Sequence, residues 1–203
     1  MKKFFRLKYV DLYKHAQSKF DKYYKNRTLS DLQDYCKTNK FSWFIDSLIF
    51  PKMHINVFDT SMNPTLHPFD QAVCHRLYNR KHLSRQDVVI IPIKLDNNKL
   101  YTVVRRIIGI PGDTIEINKA GDVLINGKIL HEPYCIKNIS KSHIKLIVPK
   151  NHYFILCDNR INNHDSRSLG FIPAKQIKYT VRYIFNDKYS YLKSISEASK
   201  LKK

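Results

Sequence analysis

Acidic residues are scarce in this chain. Its 203 residues hold 17 aspartates and glutamates against 36 lysines and arginines, a formal net charge of +19. Such an excess points to a polyanionic partner, either RNA or an anionic membrane. The basic residues run through the whole chain, both ends included, which suits a protein set against RNA better than one with a single membrane patch. A long apolar run is also missing. The best candidate, Phe41 to Phe50, is interrupted by Asp46, whereas a membrane span needs about 20 apolar residues. No integral span is therefore expected, and this run reads as a short amphipathic helix or a strand entry. The four cysteines, Cys36, Cys74, Cys135 and Cys157, show no Cys-x-x-Cys spacing. Neither a metal site nor a cofactor is expected, and a reducing compartment fits. Glycine is rare, with five in the chain.

The chain divides into three parts: a basic helical arm over 1–54, a β domain over 55–185 and a basic tail over 186–203. Met1 to Val10 is basic and free of acidic residues, as in a mitochondrial targeting signal. Leu12, Ala16, Phe20 and Tyr24 recur at a four-residue step, so Leu12 to about Lys37 reads as helical. Ser30 is a plausible N-cap for a second helix. From Ile55 the pattern turns to short β-branched runs: Val88–Ile91, Leu100–Ile108, Thr114–Ile117, Val123–Ile125, Ile144–Val148, Tyr153–Leu156 and Tyr179–Phe185. Asn97-Asn98 and Asn126-Gly127 punctuate them as turns. The stretch from Ser190 reads as a short basic helix or an irregular end. There are no internal repeats.

Four segments, in order, carry the chemistry. The first is Ser61-Met62-Asn63-Pro64-Thr65-Leu66. The second is Val103-Val104-Arg105-Arg106-Ile107-Ile108-Gly109-Ile110-Pro111-Gly112-Asp113. The third is Val123-Leu124-Ile125-Asn126-Gly127-Lys128 with His131-Glu132-Pro133-Tyr134. The fourth runs from Val148-Pro149-Lys150-Asn151 through Cys157-Asp158-Asn159-Arg160 to Asp165-Ser166-Arg167 and Gly170-Phe171-Ile172-Pro173. Together they resemble the boxes of type I signal peptidases, a family that includes the mitochondrial inner membrane proteases. The resemblance implies a mainly β fold of coiled antiparallel sheets, with Ser61 at the nucleophile position and a groove in which an extended peptide pairs with a strand edge.

Arg105 stands where the resemblance implies a lysine. That lysine must be neutral to take the serine proton, and burial cannot bring an arginine to that state. Asn163 occupies the position of a supporting serine. Asp59, two residues before Ser61, stands where relatives supply a donor hydroxyl, and a carboxylate pointing inward there repels a developing oxyanion. Glycines of the family pattern are replaced by Phe69, Gln86, Cys157 and Tyr179, which predicts altered turns. His164 reads as an exposed loop residue rather than a substitute base, and Asp165 with Arg167 as a structural ion pair.

Three functions fit the resemblance. One is a catalytically inactive homologue serving as a structural, peptide-binding component of a mitochondrial ribonucleoprotein, most plausibly the large ribosomal subunit in the matrix. Its partners are then rRNA, ribosomal proteins and a nascent or targeting peptide. The alternative is an active inner membrane serine protease that removes targeting peptides. The third is a non-catalytic subunit of a membrane assembly, which leaves the large charge unexplained. Arg105 and the charge favour the first.

Overall fold

A computed structural model describes residues 52–77, 83–94, 100–139, 143–162, 164–186 and 191–195. Most of the N-terminal arm, Cys36, the Asn97-Asn98 turn, Asn163 and the basic end lie outside the described residues. Those described form antiparallel sheets with little helix, as the sequence pattern and the resemblance imply.

The strands are β1 (Lys52–Asn56), β2 (Gln71–Arg76), β3 (Val88–Lys94), β4 (Leu100–Gly109), β5 (Thr114–Ile117), β6 (Val123–Ile125), β7 (Lys128–Ile129), β8 (Ile144–Ile147), β9 (His152–Leu156), β10 (Ile172–Pro173), β11 (Tyr179–Asn186) and β12 (Tyr191–Ser194). A single-turn helix, α1 (Ser166–Leu169), separates β9 from β10. The larger sheet has the order β1-β2-β11-β3-β4-β9-β10, with β12 paired to β11. The smaller sheet has the order β7-β6-β5-β8.

All seven β-branched runs fold as strands, because alternating apolar residues bury one face of a pleated surface. Two expectations change. The β region begins at Lys52, inside the span assigned to the arm, because Lys52 to Asn56 pair residue by residue with His75 to Gln71. The stretch after Ser190 is not helical over Tyr191–Ser194, which pairs with Tyr183 to Asn186 and extends the sheet. Pairing with an existing strand edge outweighs weak local helical preference there.

The Asn126-Gly127 turn is as expected. Both residues take positive φ, 51° and 79°, which matches the twist of a two-residue hairpin between β6 and β7. The predicted alteration of turns is not seen at Phe69 and Gln86. Each keeps a φ of 73°, the left-handed conformation that glycine adopts freely. Backbone hydrogen bonds hold them there: Phe69 N–H donates to the Val57 carbonyl at 2.8 Å and Gln86 N–H to the Ile107 carbonyl at 2.7 Å. Cys157 and Tyr179 are not among the residues with positive φ, so no glycine is needed at either.

Three apolar clusters position the site. Val57, Met62 and Leu66 pack with Ala72, Val88, Val104 and Val181, anchoring the loop that carries Ser61. Val89, Ile107, Ile155 and Ile177 fill a second cluster. Ile108, Ile115, Val123, Phe154 and Leu156 join the two sheets.

Candidate functional site

Ser61 lies in the loop between β1 and β2. The base of the loop closes where Val57 N–H donates to the Asp70 carbonyl and Phe69 N–H returns to the Val57 carbonyl, both at 2.8 Å. Met62 and Leu66 are buried beneath it. The Ser61 carbonyl accepts from Asn159 N–H at 2.9 Å, and Asn159 Nδ2 donates to the Thr60 carbonyl at 3.2 Å. The segment that carries Ser61 is thus clasped by the segment Cys157-Asp158-Asn159-Arg160.

Successive side chains on a strand point to opposite faces, so the neighbours Arg105 and Arg106 on β4 have separate roles. Arg106 is buried and forms a two-pronged ion pair with Asp158, Nε to Oδ1 at 2.8 Å and Nη2 to Oδ2 at 2.6 Å. Nη2 also donates to Thr65 Oγ1 at 3.1 Å, and Thr65 Oγ1 donates to Asp158 Oδ2 at 2.5 Å. The guanidinium lies 3.9 Å above the Tyr134 ring. Arg160 is buried against Glu132 and donates Nε to the Cys157 carbonyl at 2.8 Å.

Arg105, only 2% exposed, reaches the serine. Its Nη1 donates to Ser61 Oγ at 2.8 Å and to the Val104 carbonyl at 2.5 Å, and its Nε donates to the His164 carbonyl at 2.9 Å. The two residues named from sequence, Ser61 and Arg105, therefore meet. Asp59 joins them. Its Oδ1 accepts the Ser61 hydroxyl at 2.6 Å and the Ser61 backbone N–H at 3.0 Å. The carboxylate points inward, and it occupies the N–H that would otherwise be free to receive an oxyanion.

Among the described residues no amine meets the serine. The Ser61 oxygen accepts from a guanidinium, and its proton is directed to a carboxylate. His164 is exposed and meets Arg105 through its backbone carbonyl, as an exposed loop residue would. Asn163 lies outside the described residues. Asp165 and Arg167 form the anticipated structural pair, Nε to Oδ1 at 2.9 Å and Nη2 to Oδ2 at 2.7 Å. Burial raises the Asp165 carboxyl, but Arg167 and the N–H groups of Cys157 and Arg167 outweigh it and hold the group below the usual carboxylate range. Burial pushes the Cys157 thiol up to about 12, which makes it a poor nucleophile. Sequence reasoning missed the roles of Thr65 and Tyr134. Both sit inside quoted boxes, but only the fold brings them to Arg106.

Residues 40–186 match the family described as "Signal peptidase, peptidase S26". The chain is 37% identical over 138 residues to Signal peptidase I T of Bacillus subtilis, covering 62% of this chain and 69% of that protein. Signal peptidase I of Bacillus amyloliquefaciens matches with the same identity and coverage. Probable signal peptidase I-2 of Synechocystis is 32% identical over 122 residues, covering 58% of this chain and 56% of that protein. Among solved structures, a signal peptidase I from Enterococcus faecalis overlaps with a TM-score of 0.41 at 29% identity, covering 49% of this chain and 96% of that one.

Proposed function

The chain belongs to the signal peptidase, peptidase S26 family, and from that premise we propose that it has given up cleavage and serves as a peptide-holding scaffold. One observation carries this reading: Arg105 Nη1 donates to Ser61 Oγ at 2.8 Å, where the reaction needs an uncharged base. A guanidinium that stays protonated cannot accept the serine proton. Asp59 adds to the block by covering the Ser61 N–H. The fold and the serine position persist without the chemistry, as a fold can. The test is incubation of the purified chain with membrane-targeting peptides, read by mass spectrometry. No cleavage is expected. Cleavage that disappears in Ser61→Ala overturns the scaffold reading and establishes the alternative, an active inner membrane serine protease.

The net charge of +19 supports a polyanionic setting for this scaffold. The reading is a component of a mitochondrial ribonucleoprotein in the matrix, the large ribosomal subunit foremost, in contact with rRNA and ribosomal proteins. Sedimentation of tagged native protein with and without RNase tests it. Comigration with a large particle that RNase abolishes is the expected result. A light or membrane-bound fraction that ignores RNase overturns it.

A further inference from the structure

The charges around Ser61 are paired differently from those elsewhere, through a hydroxyl instead of directly. Burying an ion is costly unless an opposite charge compensates it. Arg106 and Arg160, both buried, each face a carboxylate: Asp158 at 2.6 Å and Glu132 respectively. Arg105 is equally buried, yet its hydrogen-bond partners among the described residues are two backbone carbonyls and the Ser61 hydroxyl. Among the described residues its link to a carboxylate runs through the Ser61 hydroxyl to Asp59, so the guanidinium favours an anion seated on that hydroxyl.

The anion it is built for can be read from the donors. Arg105 occupies a lone pair of Ser61 Oγ, which directs the serine proton outward. The Ser61 N–H points the same way. Both converge on one oxygen, Asp59 Oδ1, at 2.6 Å and 3.0 Å. A carboxylate oxygen is therefore what these two donors receive. Ser61 is 4% exposed, whereas Asp59 is an exposed loop residue. The occupant sits on the solvent side and can swing out without disturbing the core.

We propose that Ser61 and Arg105 form a recognition site for the C-terminal carboxylate of a peptide, with Asp59 as an internal stand-in that the ligand displaces. This deepens the peptide-holding reading and rests on it. The serine and its N–H grip one carboxylate oxygen, and the guanidinium behind the serine supplies the countercharge. The chain then selects peptides that end at this point over chains that pass through it.

The test uses the purified full-length chain and calorimetric titration with three probes. These are an acetylated heptapeptide of alternating alanine and threonine as the free acid, the same peptide as the C-terminal amide, and sodium acetate. The free acid is expected to bind at least ten-fold more tightly than the amide, with acetate far weaker than either. In Asp59→Ser, a change at an exposed position, the preference for the free acid widens several-fold because the internal competitor is gone. Equal binding of acid and amide overturns the carboxylate site and leaves the scaffold reading intact. Binding of neither peptide overturns both. Acetate binding as tightly as the free-acid peptide overturns the assignment to peptides.

Discussion

Thr65 Oγ1 donates to Asp158 Oδ2 across 2.5 Å, joining two boxes 93 residues apart in the chain. Arg106 bonds to both partners, so the three side chains form one buried unit. Together with the Asn159 bonds to Thr60 and Ser61, this unit fixes the Ser61 loop against the segment Cys157–Arg160. Breaking a buried pair leaves an uncompensated charge and costs about 3–5 kcal/mol. Asp158→Ala is expected to lose stability of that order in urea titration. Thr65→Val removes both hydrogen bonds of its hydroxyl and leaves the ion pair, so its loss is about 1–3 kcal/mol. Equal losses in the two variants would refute this ranking.

Phe69 and Gln86 hold φ at 73° without being glycine. The left-handed conformation costs an ordinary residue about 1–2 kcal/mol. Glycine in its place loses about 0.5–1 kcal/mol more chain entropy on folding. Phe69→Gly and Gln86→Gly are each expected to raise stability by about 0.5–1 kcal/mol, read as a higher midpoint in chemical denaturation. Phe69 is 80% exposed, so little packing is lost with its ring. A lower midpoint in Phe69→Gly would show that the ring does structural work instead.

Gly109 lies at the end of β4, beside the second sheet. A Cβ there would stand 2.5 Å from Ile115 Cδ1 and 2.9 Å from Val148 Cγ2. Overfilling a packed core typically costs about 1–3 kcal/mol. Gly109→Ala is therefore expected to lower the thermal midpoint, while Ile115→Val in the same background restores part of the loss. No rescue by Ile115→Val would locate the strain elsewhere.

The β domain was legible because its runs alternate and its turns carry asparagine and glycine. Period and turn chemistry are local, so a sequence displays them. The meeting of Ser61 with Arg105 was legible only through the resemblance, since 44 residues separate them. The inward turn of Asp59 could be framed as a possibility but not decided, because a side-chain rotamer depends on its tertiary neighbours. The turns at 69 and 86 were misread. The resemblance suggested that losing the family's glycines would change the backbone, whereas the bonds to Val57 and Ile107 hold it in place. The strand at Tyr191–Ser194 was missed because its partner, the end of β11, is what makes it a strand.

Acid should weaken the fold through two buried carboxyls, Asp165 and Asp113. Against the rise that burial imposes, both groups are held below the usual carboxylate range in the fold, Asp165 by Arg167 and Asp113 by Arg85. Groups depressed in this way stabilise above their unfolded value, and that contribution is lost as pH falls through the folded value. Asp87 has the opposite sign. Burial raises its carboxyl, so its contribution is present at low pH and lost as pH rises. Denaturation midpoints are expected to fall between about pH 5 and pH 3. In Asp87→Asn the fall becomes steeper, because the opposing group is gone. An unchanged slope would show that Asp87 titrates alike in the folded and unfolded states.

Arg105→Lys tests whether the guanidinium is what blocks cleavage. A lysine at this buried position, with Ser61 Oγ beside it, meets the desolvation that lowers an ammonium pKa and frees a base. Asp59 remains an obstacle, because its carboxylate covers the Ser61 N–H. The single variant is therefore expected to cleave targeting peptides weakly. Arg105→Lys with Asp59→Ser should do so on the order of 10²-fold faster, as oxyanion stabilisation returns. Rates should rise with pH as the lysine deprotonates, and Ser61→Ala in the double variant should abolish cleavage. Cleavage by wild type matching that of Arg105→Lys would mean that the guanidinium never blocked the reaction. Silence in the double variant, if it folds like wild type, would place the defect beyond these two side chains.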